Sequence, residues 1–248
     1  MPFLKIRLLC TRKSETMDLL DKLDKEVQNK ASKLKVNDAG LDKILHCFEK
    51  SFFKYDYFCQ HFYDYCLKSI KKQKIDYGKD EITKLSVSLS KYQDKKLFQT
   101  IAGIFLSALI NLPDENEFVV MTRHIQKPID LFAWNNTKKI TVIGSVGEHV
   151  GRNMQGGELL IKGNVERCIG SGMSSGKIIV EGDADYLVGY FSKPSAIIEL
   201  NGNYKNISGD CKGQIFHNGV LIFNDGKPIN RNFDFIQDEL FSYYIPNK

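Results

Sequence analysis

One glycine-rich stretch resembles a loop built to hold a phosphate. It reads Ile169-Gly-Ser-Gly-Met-Ser-Ser-Gly-Lys177. A phosphate-binding loop needs the pattern G-x-x-x-x-G-K-[ST] at the start of a helix, where main-chain amides bind the anion. Here Ser171 stands where the first glycine is required, and Ile178 stands where the metal-binding hydroxyl is required. The residues that follow are strand-forming, so the sequence favours a structural turn over a nucleotide site.

A nucleophile and a base are suggested by Cys168 and His149. They lie five residues after Gly163 and Gly144, which are equivalent glycines of a repeat described below. If the repeats stack, the two side chains come within about 5 Å of each other, as a Cys–His pair requires. The next members of the same column are Leu187 and Ile207. Those apolar neighbours favour a packing column over catalysis.

Cys59, His61 and Cys66 are residue types that bind zinc, and they lie close together in the sequence. A structural zinc site takes four ligands, and residues two apart on a helix face different sides. Cys59 and Cys66 instead fit an apolar helical stripe, and a free cysteine usually packs as a small hydrophobic residue. The sequence therefore assigns no metal ligand, no cofactor-binding residue and no catalytic residue.

Basic and aromatic residues occur together in the first half of the chain. The segment His46–Tyr65 is rich in aromatic residues, and Lys71, Lys72 and Lys74 follow it closely. Such a combination can bind nucleic acid through charge and base stacking. The formal net charge of the chain is only +5. A solvated helix end and an aromatic core or interface explain the same residues.

The elements that carry these residues change character near residue 117. Helical spacing of apolar residues extends over residues 14–111 and predicts three helical segments. The first covers about Glu15 to Leu34, and the third covers about Glu81 to Ile110. The second follows one stripe, formed by Leu41, Ile44, Leu45, Phe48, Phe52, Cys59, Phe62 and Cys66. The turn-forming segment Asn111–Glu117 then ends an α-helical domain predicted over residues 1–117.

A repeat of about 19 residues occupies the second half. Its marker glycines each follow a short strand-forming run: Gly144, Gly163, Gly182, Gly202 and Gly219. Further columns recur in register: the glycines Gly151, Gly170, Gly189 and Gly209, and the aliphatic residues Ile140, Leu159, Ile178, Ile198 and Ile215. Such a short repeat buries its apolar face only by stacking on copies of itself. We therefore predict a multidomain α + β chain, with a parallel β-solenoid of four to five coils over residues 118–228 and a capping or docking tail over residues 229–248.

The repeat resembles that of the GXGXG family. The segment Gly144–Gly163, GSVGEHVGRNMQGGELLIKG, retains every glycine and the methionine of the pattern G-x-x-G-x-x-x-G-x-x-M-x-G-G-x-I-x-V-x-G. In that family the domain is a right-handed β-helix, found at the C-terminus of the large chain of glutamate synthase and as one of the chains of formylmethanofuran dehydrogenase. The resemblance covers about residues 140–226. It implies a structural role rather than a catalytic one.

Composition narrows the functional class further. Six cysteines without a C-x-x-C pair, and no apparent secretory leader, predict free thiols in the cytoplasm. The most apolar stretch, Ile101–Leu112, is shorter than the roughly 20 residues that cross a bilayer.

We therefore expect a non-catalytic structural or assembly subunit. Its partners would be other protein subunits, such as those of an oxidoreductase complex, or further copies of itself. We expect no membrane partner. The alternatives left open are an enzyme with a site beside the β-helix and a nucleic-acid-binding protein that uses the basic helical domain.

Overall fold

Four helices come first in the computed structural model, which describes residues 39–55 and 59–229. They are α1 (Ala39–Ser51), α2 (Cys59–Lys72), α3 (Lys79–Ser88) and α4 (Phe98–Ile110), and a 3-10 turn, Leu89–Tyr92, follows α3. The predicted segment Glu15–Leu34 and most of the predicted tail lie outside the described residues. No helix among the described residues is long and apolar enough to cross a membrane.

Two predicted helical segments are each divided in the structure. The apolar stripe predicted over Leu41–Cys66 continues across two helices, because α1 ends at Ser51 and α2 begins at Cys59. The segment predicted over Glu81–Ile110 is broken before α4 by Leu97, whose φ of 61° is left-handed. Apolar spacing continues through both breaks because residues on either side of each turn pack into the same core.

Helix α4 connects the helical core with the solenoid. Apart from Gln99, Thr100 and Ser107 it is apolar, and every residue from Ile101 to Ile110 is buried, as expected for a helix surrounded by protein. Gly103 allows the closest contact, since a Cβ at that position would lie 1.8 Å from the main-chain oxygen of Asp130. Ser107 Oγ accepts a hydrogen bond from the Trp134 amide at 3.1 Å. The helices and the solenoid therefore share one continuous core, and the boundary at residue 117 stays a prediction.

The second part of the chain is a β-solenoid of about five turns. Its single eight-stranded sheet contains, in chain order, β1 (Glu117–Met121), β2 (Lys139–Ile143), β3 (Gln155–Lys162), β4 (Ser175–Val180), β5 (Ser195–Leu200), β6 (Gln214–His217), β7 (Val220–Asn224) and β8 (Lys227–Pro228). Strands β1 to β6 pair in parallel, and β6, β7 and β8 pair antiparallel.

The register confirms the aliphatic columns read from the sequence. Ile140, Leu159, Ile178, Ile198 and Ile215 pair in succession, and all are buried. The structure adds Phe118 of β1 to the start of this column. The sequence pattern does not identify β1 as part of the repeat, for two reasons. Phe118 precedes Ile140 by 22 residues, which is longer than the repeat, and Thr122 stands where later coils have the marker glycine.

The predicted stacking of Gly151, Gly170 and Gly189 is confirmed. Their φ angles are +71°, +67° and +72°. Their amides donate to equivalent carbonyls of the preceding coil, those of Phe132, Val150 and Ile169, at 2.8 to 2.9 Å. Positive φ and a neighbouring coil in contact explain why glycine recurs at this column.

Two other predicted glycine positions are wrong. The repeat predicts Gly209 in the column of Gly189, but the last coil is one residue shorter there, and the Ser208 amide donates to Val188 in its place. It also predicts Gly219 in the marker column, but Gly219 lies in the turn between the antiparallel strands β6 and β7. Both departures occur where the solenoid ends and parallel stacking no longer imposes the repeat.

The first strand of the solenoid is covered by α3. Thr83 Oγ1 donates to the carbonyl oxygen of Val119 at 2.9 Å, and Ser86 Oγ accepts from the amide of Met121 at 3.0 Å. These main-chain groups lie on the edge of β1 opposite β2, where no other strand of the described chain pairs with them. The two hydroxyls therefore satisfy a sheet edge that would otherwise be open to pairing with another chain.

Candidate functional site

The glycine-rich stretch suspected of phosphate binding is a turn of the solenoid. Its main-chain amides donate to protein carbonyls, Gly170 to Val150 at 2.8 Å and Gly172 to Tyr190 at 2.7 Å. Ser175 then begins strand β4 rather than a helix. Because these amides are already bonded, they are not available to surround a phosphate.

His149 and Cys168 lie at equivalent positions of adjacent coils, as the repeat indicated. The His149 amide donates to Arg167 O and the Cys168 amide donates to Tyr186 O, each at 2.9 Å. Both residues have left-handed φ angles, 55° and 61°. Leu187, at φ 60°, continues the column. The predicted member Ile207 does not, because it pairs with Val188 instead.

The local environment is unfavourable for a thiolate nucleophile. Burial raises the pKa of Cys168 to about 11, against a smaller opposing effect of Arg167. Burial and the nearby Arg152 lower the pKa of His149. At neutral pH the thiol is therefore protonated, whereas a reactive cysteine needs a lowered pKa. The pair is arranged for packing within the turn.

A ladder of charged side chains lies beside this pair on the outer surface of the turns. Arg167 forms a two-pronged ion pair with Glu148 of the preceding coil, with Nε–Oε1 at 2.7 Å and Nη2–Oε2 at 3.0 Å. One coil earlier, Asp130 Oδ1 accepts the Glu148 amide at 2.9 Å. Burial raises the pKa of Asp130 to about 6, and the negative charges of Glu148 and Glu166 add to that rise. This carboxyl group with a raised pKa thus lies next to α4.

A second ladder follows the marker glycines by one residue. Ser145 Oγ accepts the Asn164 amide, Asn164 Oδ1 accepts the Asp183 amide, and Asp183 Oδ1 accepts the Asn203 amide, at 2.8 to 3.1 Å. Each side chain thereby bonds the main chain of the next coil. Sequence reasoning missed this ladder, although a small polar residue directly follows each of the first four marker glycines, Gly144, Gly163, Gly182 and Gly202.

The cysteines and the histidine of α2 are not brought together as a metal site. Cys66 is buried, and burial raises the pKa of its thiol. Cys59 is half-buried, with Sγ 3.6 Å from Tyr55 Oη, and His61 is exposed. Among residues 39–55 and 59–229, no three His, Cys, Asp or Glu side chains form a group that could hold a metal ion.

The three lysines at the end of α2 have different surroundings. Lys71 and Lys74 line a cleft of about 260 Å³, whereas Lys72 does not. The other lining residues are Ile70, Ile75, Asp76, Tyr77, Leu112 and Pro113. Leu112 and Pro113 come from the segment that connects α4 to β1, so only the folded chain forms this cleft.

The outer face of the sheet carries a half-buried apolar row. Leu160 of β3 lies beside Ile179 of β4, and Ile197 and Phe216 lie diagonally along the following strands. Leu160 and Ile179 are apolar exceptions among the mostly polar outward positions of the repeat. The ion pair between Lys177 Nζ and Glu199 Oε2 at 2.7 Å lies on the same face, with Glu199 opposite Ile179 and Lys177 opposite Ile197. A solvated face would carry polar residues at these positions.

No family model, no curated protein and no solved structure matches this chain.

Proposed function

We propose that this protein is a non-catalytic structural or assembly module that binds a protein partner through the outer face of its solenoid sheet. The observation that carries this proposal is the apolar row formed by Leu160, Ile179, Ile197 and Phe216. These half-buried apolar side chains alternate on a rigid sheet with the ion-paired Lys177 and Glu199, and protein interfaces combine apolar and polar groups in this way.

The proposal includes a right-handed coil and membership of the GXGXG β-helix family. Parallel strands of one sheet are almost always joined by right-handed connections, which supports this hand. The pattern over Gly144–Gly163, with its stacked glycines and buried Met154, supports the family resemblance. In this proposal the chain is an accessory subunit of a larger cytoplasmic enzyme complex, and an oxidoreductase is one class of enzyme that such a complex includes. The chain can equally associate with copies of itself.

The environments of the residues suspected of chemistry favour a structural role over an enzymatic one. The Cys168 thiol is protonated at neutral pH, and the amides of the glycine-rich turn are bonded to neighbouring coils. These residues serve the stacking of coils, which is what an assembly module requires.

The test is native purification of the full chain from its own cells, followed by measurement of the mass of the complex. Ile179→Lys places a charge in the centre of the row, and we expect it to release the partner. Asn201→Lys is the matched control, since it adds the same charge at an exposed polar position just after β5. Circular dichroism checks that both variants fold.

We expect a defined complex for the wild type and for Asn201→Lys, and a monomer for Ile179→Lys. A wild-type chain that purifies as a monomer would count against the proposal. So would an Ile179→Lys variant that keeps its partner.

A further inference from the structure

The cleft at the end of α2 combines an apolar floor with two ammonium groups. Ile70, Ile75, Leu112 and Pro113 supply the apolar surface. The Tyr77 hydroxyl donates to the main-chain oxygen of Leu109 at 3.0 Å, which fixes its ring in the wall. Lys71 and Lys74 supply the positive charges. The site lies among the helices and not on the sheet face assigned to a protein partner.

Within the described part of the chain, no ion pair neutralises the charges of the cleft. Neither Lys71 nor Lys74 pairs with a carboxylate there, and Asp76 in the same lining pairs with neither of them. Two lysines and one aspartate leave the lining with a net charge of +1. That value suits a monoanion better than a phosphate dianion, because Asp76 would repel a second negative charge.

The main chain turns sharply at Lys74, beside the cleft. Lys74 follows the end of α2 with a left-handed φ of 48°, and its amide donates to Lys71 O at 3.1 Å. Glycine is the usual residue where a helix ends in this conformation, since a side chain there is strained.

We propose that this cleft binds a small organic monoanion in which an apolar chain carries a carboxylate. The apolar chain would lie against Ile70, Ile75 and Leu112, and the carboxylate would lie between the ammonium groups of Lys71 and Lys74. The volume of about 260 Å³ is just below the range of about 300 to 1,000 Å³ that drug-sized ligands fill, so a short chain fits best.

The experiment measures binding to the full chain by ligand-observed NMR. The probes are hexanoate, hexanol as its uncharged analogue, and acetate as the charge without the apolar chain. We expect hexanoate to bind at least about tenfold more tightly than either of the others, a factor that corresponds to about 1.4 kcal/mol.

The matched variants distinguish the cleft from a general basic patch. We expect Lys71→Glu/Lys74→Glu to weaken hexanoate binding at least about tenfold, while Lys72→Glu, on the same helix end but outside the cleft, changes it less than about twofold. An oligothymidylate is titrated in parallel as the probe for nucleic acid.

Three results would overturn the proposal. One is no difference between hexanoate and hexanol, and another is hexanoate binding that survives Lys71→Glu/Lys74→Glu. The third is oligothymidylate binding that all the lysine variants weaken equally while hexanoate fails to bind, because the lysines would then act as a nucleic-acid surface. None of these results depends on the sheet face, so each is separable from failure of the assembly proposal.

Discussion

Replacing Asp130 by asparagine should stabilise the protein at neutral pH. The Asp130 carboxylate lies where the first coil meets α4, and its pKa is raised from 3.8 to about 6 by burial and by Glu148 and Glu166. An acid with a raised pKa contributes stability that is fully present below its unfolded pKa and lost as the pH rises through its folded pKa. Asp130 is therefore unfavourable to folding once the pH exceeds about 6.

The size of the effect follows from the shift. A rise of about two pKa units corresponds to about 3 kcal/mol, since each unit is worth about 1.4 kcal/mol. The side chain is only partly buried, so screening by water reduces this to about 1 to 2 kcal/mol. Asparagine cannot ionise, and its Oδ1 can still accept the Glu148 amide. We expect Asp130→Asn to raise the free energy of unfolding by about 1 to 2 kcal/mol at about pH 7.5, with no gain at about pH 4.

Urea unfolding followed by circular dichroism, at several pH values between about 4 and 8, measures this difference. Asp183→Asn is the matched control, because Asp183 Oδ1 also accepts an amide of the next coil, that of Asn203 at 2.8 Å, at an exposed position. We expect this control to change stability by no more than about 0.5 kcal/mol at about pH 7.5. A difference between Asp130→Asn and wild type that stays constant over the whole pH range would refute the reasoning. A loss of stability that is largest at the alkaline end would also refute it.

Three further predictions concern the main chain. Lys74→Gly relieves the left-handed strain after α2, and we expect it to add about 1 kcal/mol of stability in thermal unfolding. A decrease in stability would show that the lysine side chain supports the fold. Gly170→Ala places a Cβ 2.6 Å from the Ile198 Cδ1 methyl group at φ +67°, and we expect it to cost about 2 kcal/mol or more in urea unfolding. Gly209→Ala is the control, because a Cβ there meets open space, and we expect almost no change in stability. Ser86→Ala leaves a buried amide of β1 without an acceptor and should cost about 1 to 3 kcal/mol, more than Ser88→Ala on the same helix; equal costs would contradict the edge-covering role.

The periodic part of the fold could be predicted from the sequence. A coil of about 19 residues must place the same residue type at the same height each time. For that reason the glycines Gly151 and Gly170 recur visibly along the chain, and so do the aliphatic residues at the column of Leu159. The positions of His149 and Cys168 in adjacent coils follow from the same register. Where the repeat is interrupted, at β1 and in the last coil, the prediction misses an element or is shifted by one residue.

The charged ladder and the cleft could not be predicted in this way. Asp130 acquires its raised pKa only because α4 and two neighbouring coils surround it. Lys71 and Lys72 are neighbours in the sequence, and the folded chain places only Lys71 of the two in the cleft that Leu112 and Pro113 help to line. Contacts between segments far apart along the chain leave no periodic trace.

The sequence by itself determined the solenoid, because stacking imposes the same steric requirement in every coil. The residue types that meet this requirement therefore recur at a nearly constant interval along the chain. Only the tertiary structure decided which polar groups are desolvated, how α3 covers the edge of β1 and where a cleft opens. Those properties depend on distances between non-repeating segments, and each such distance is set once, by packing, rather than many times by a repeat.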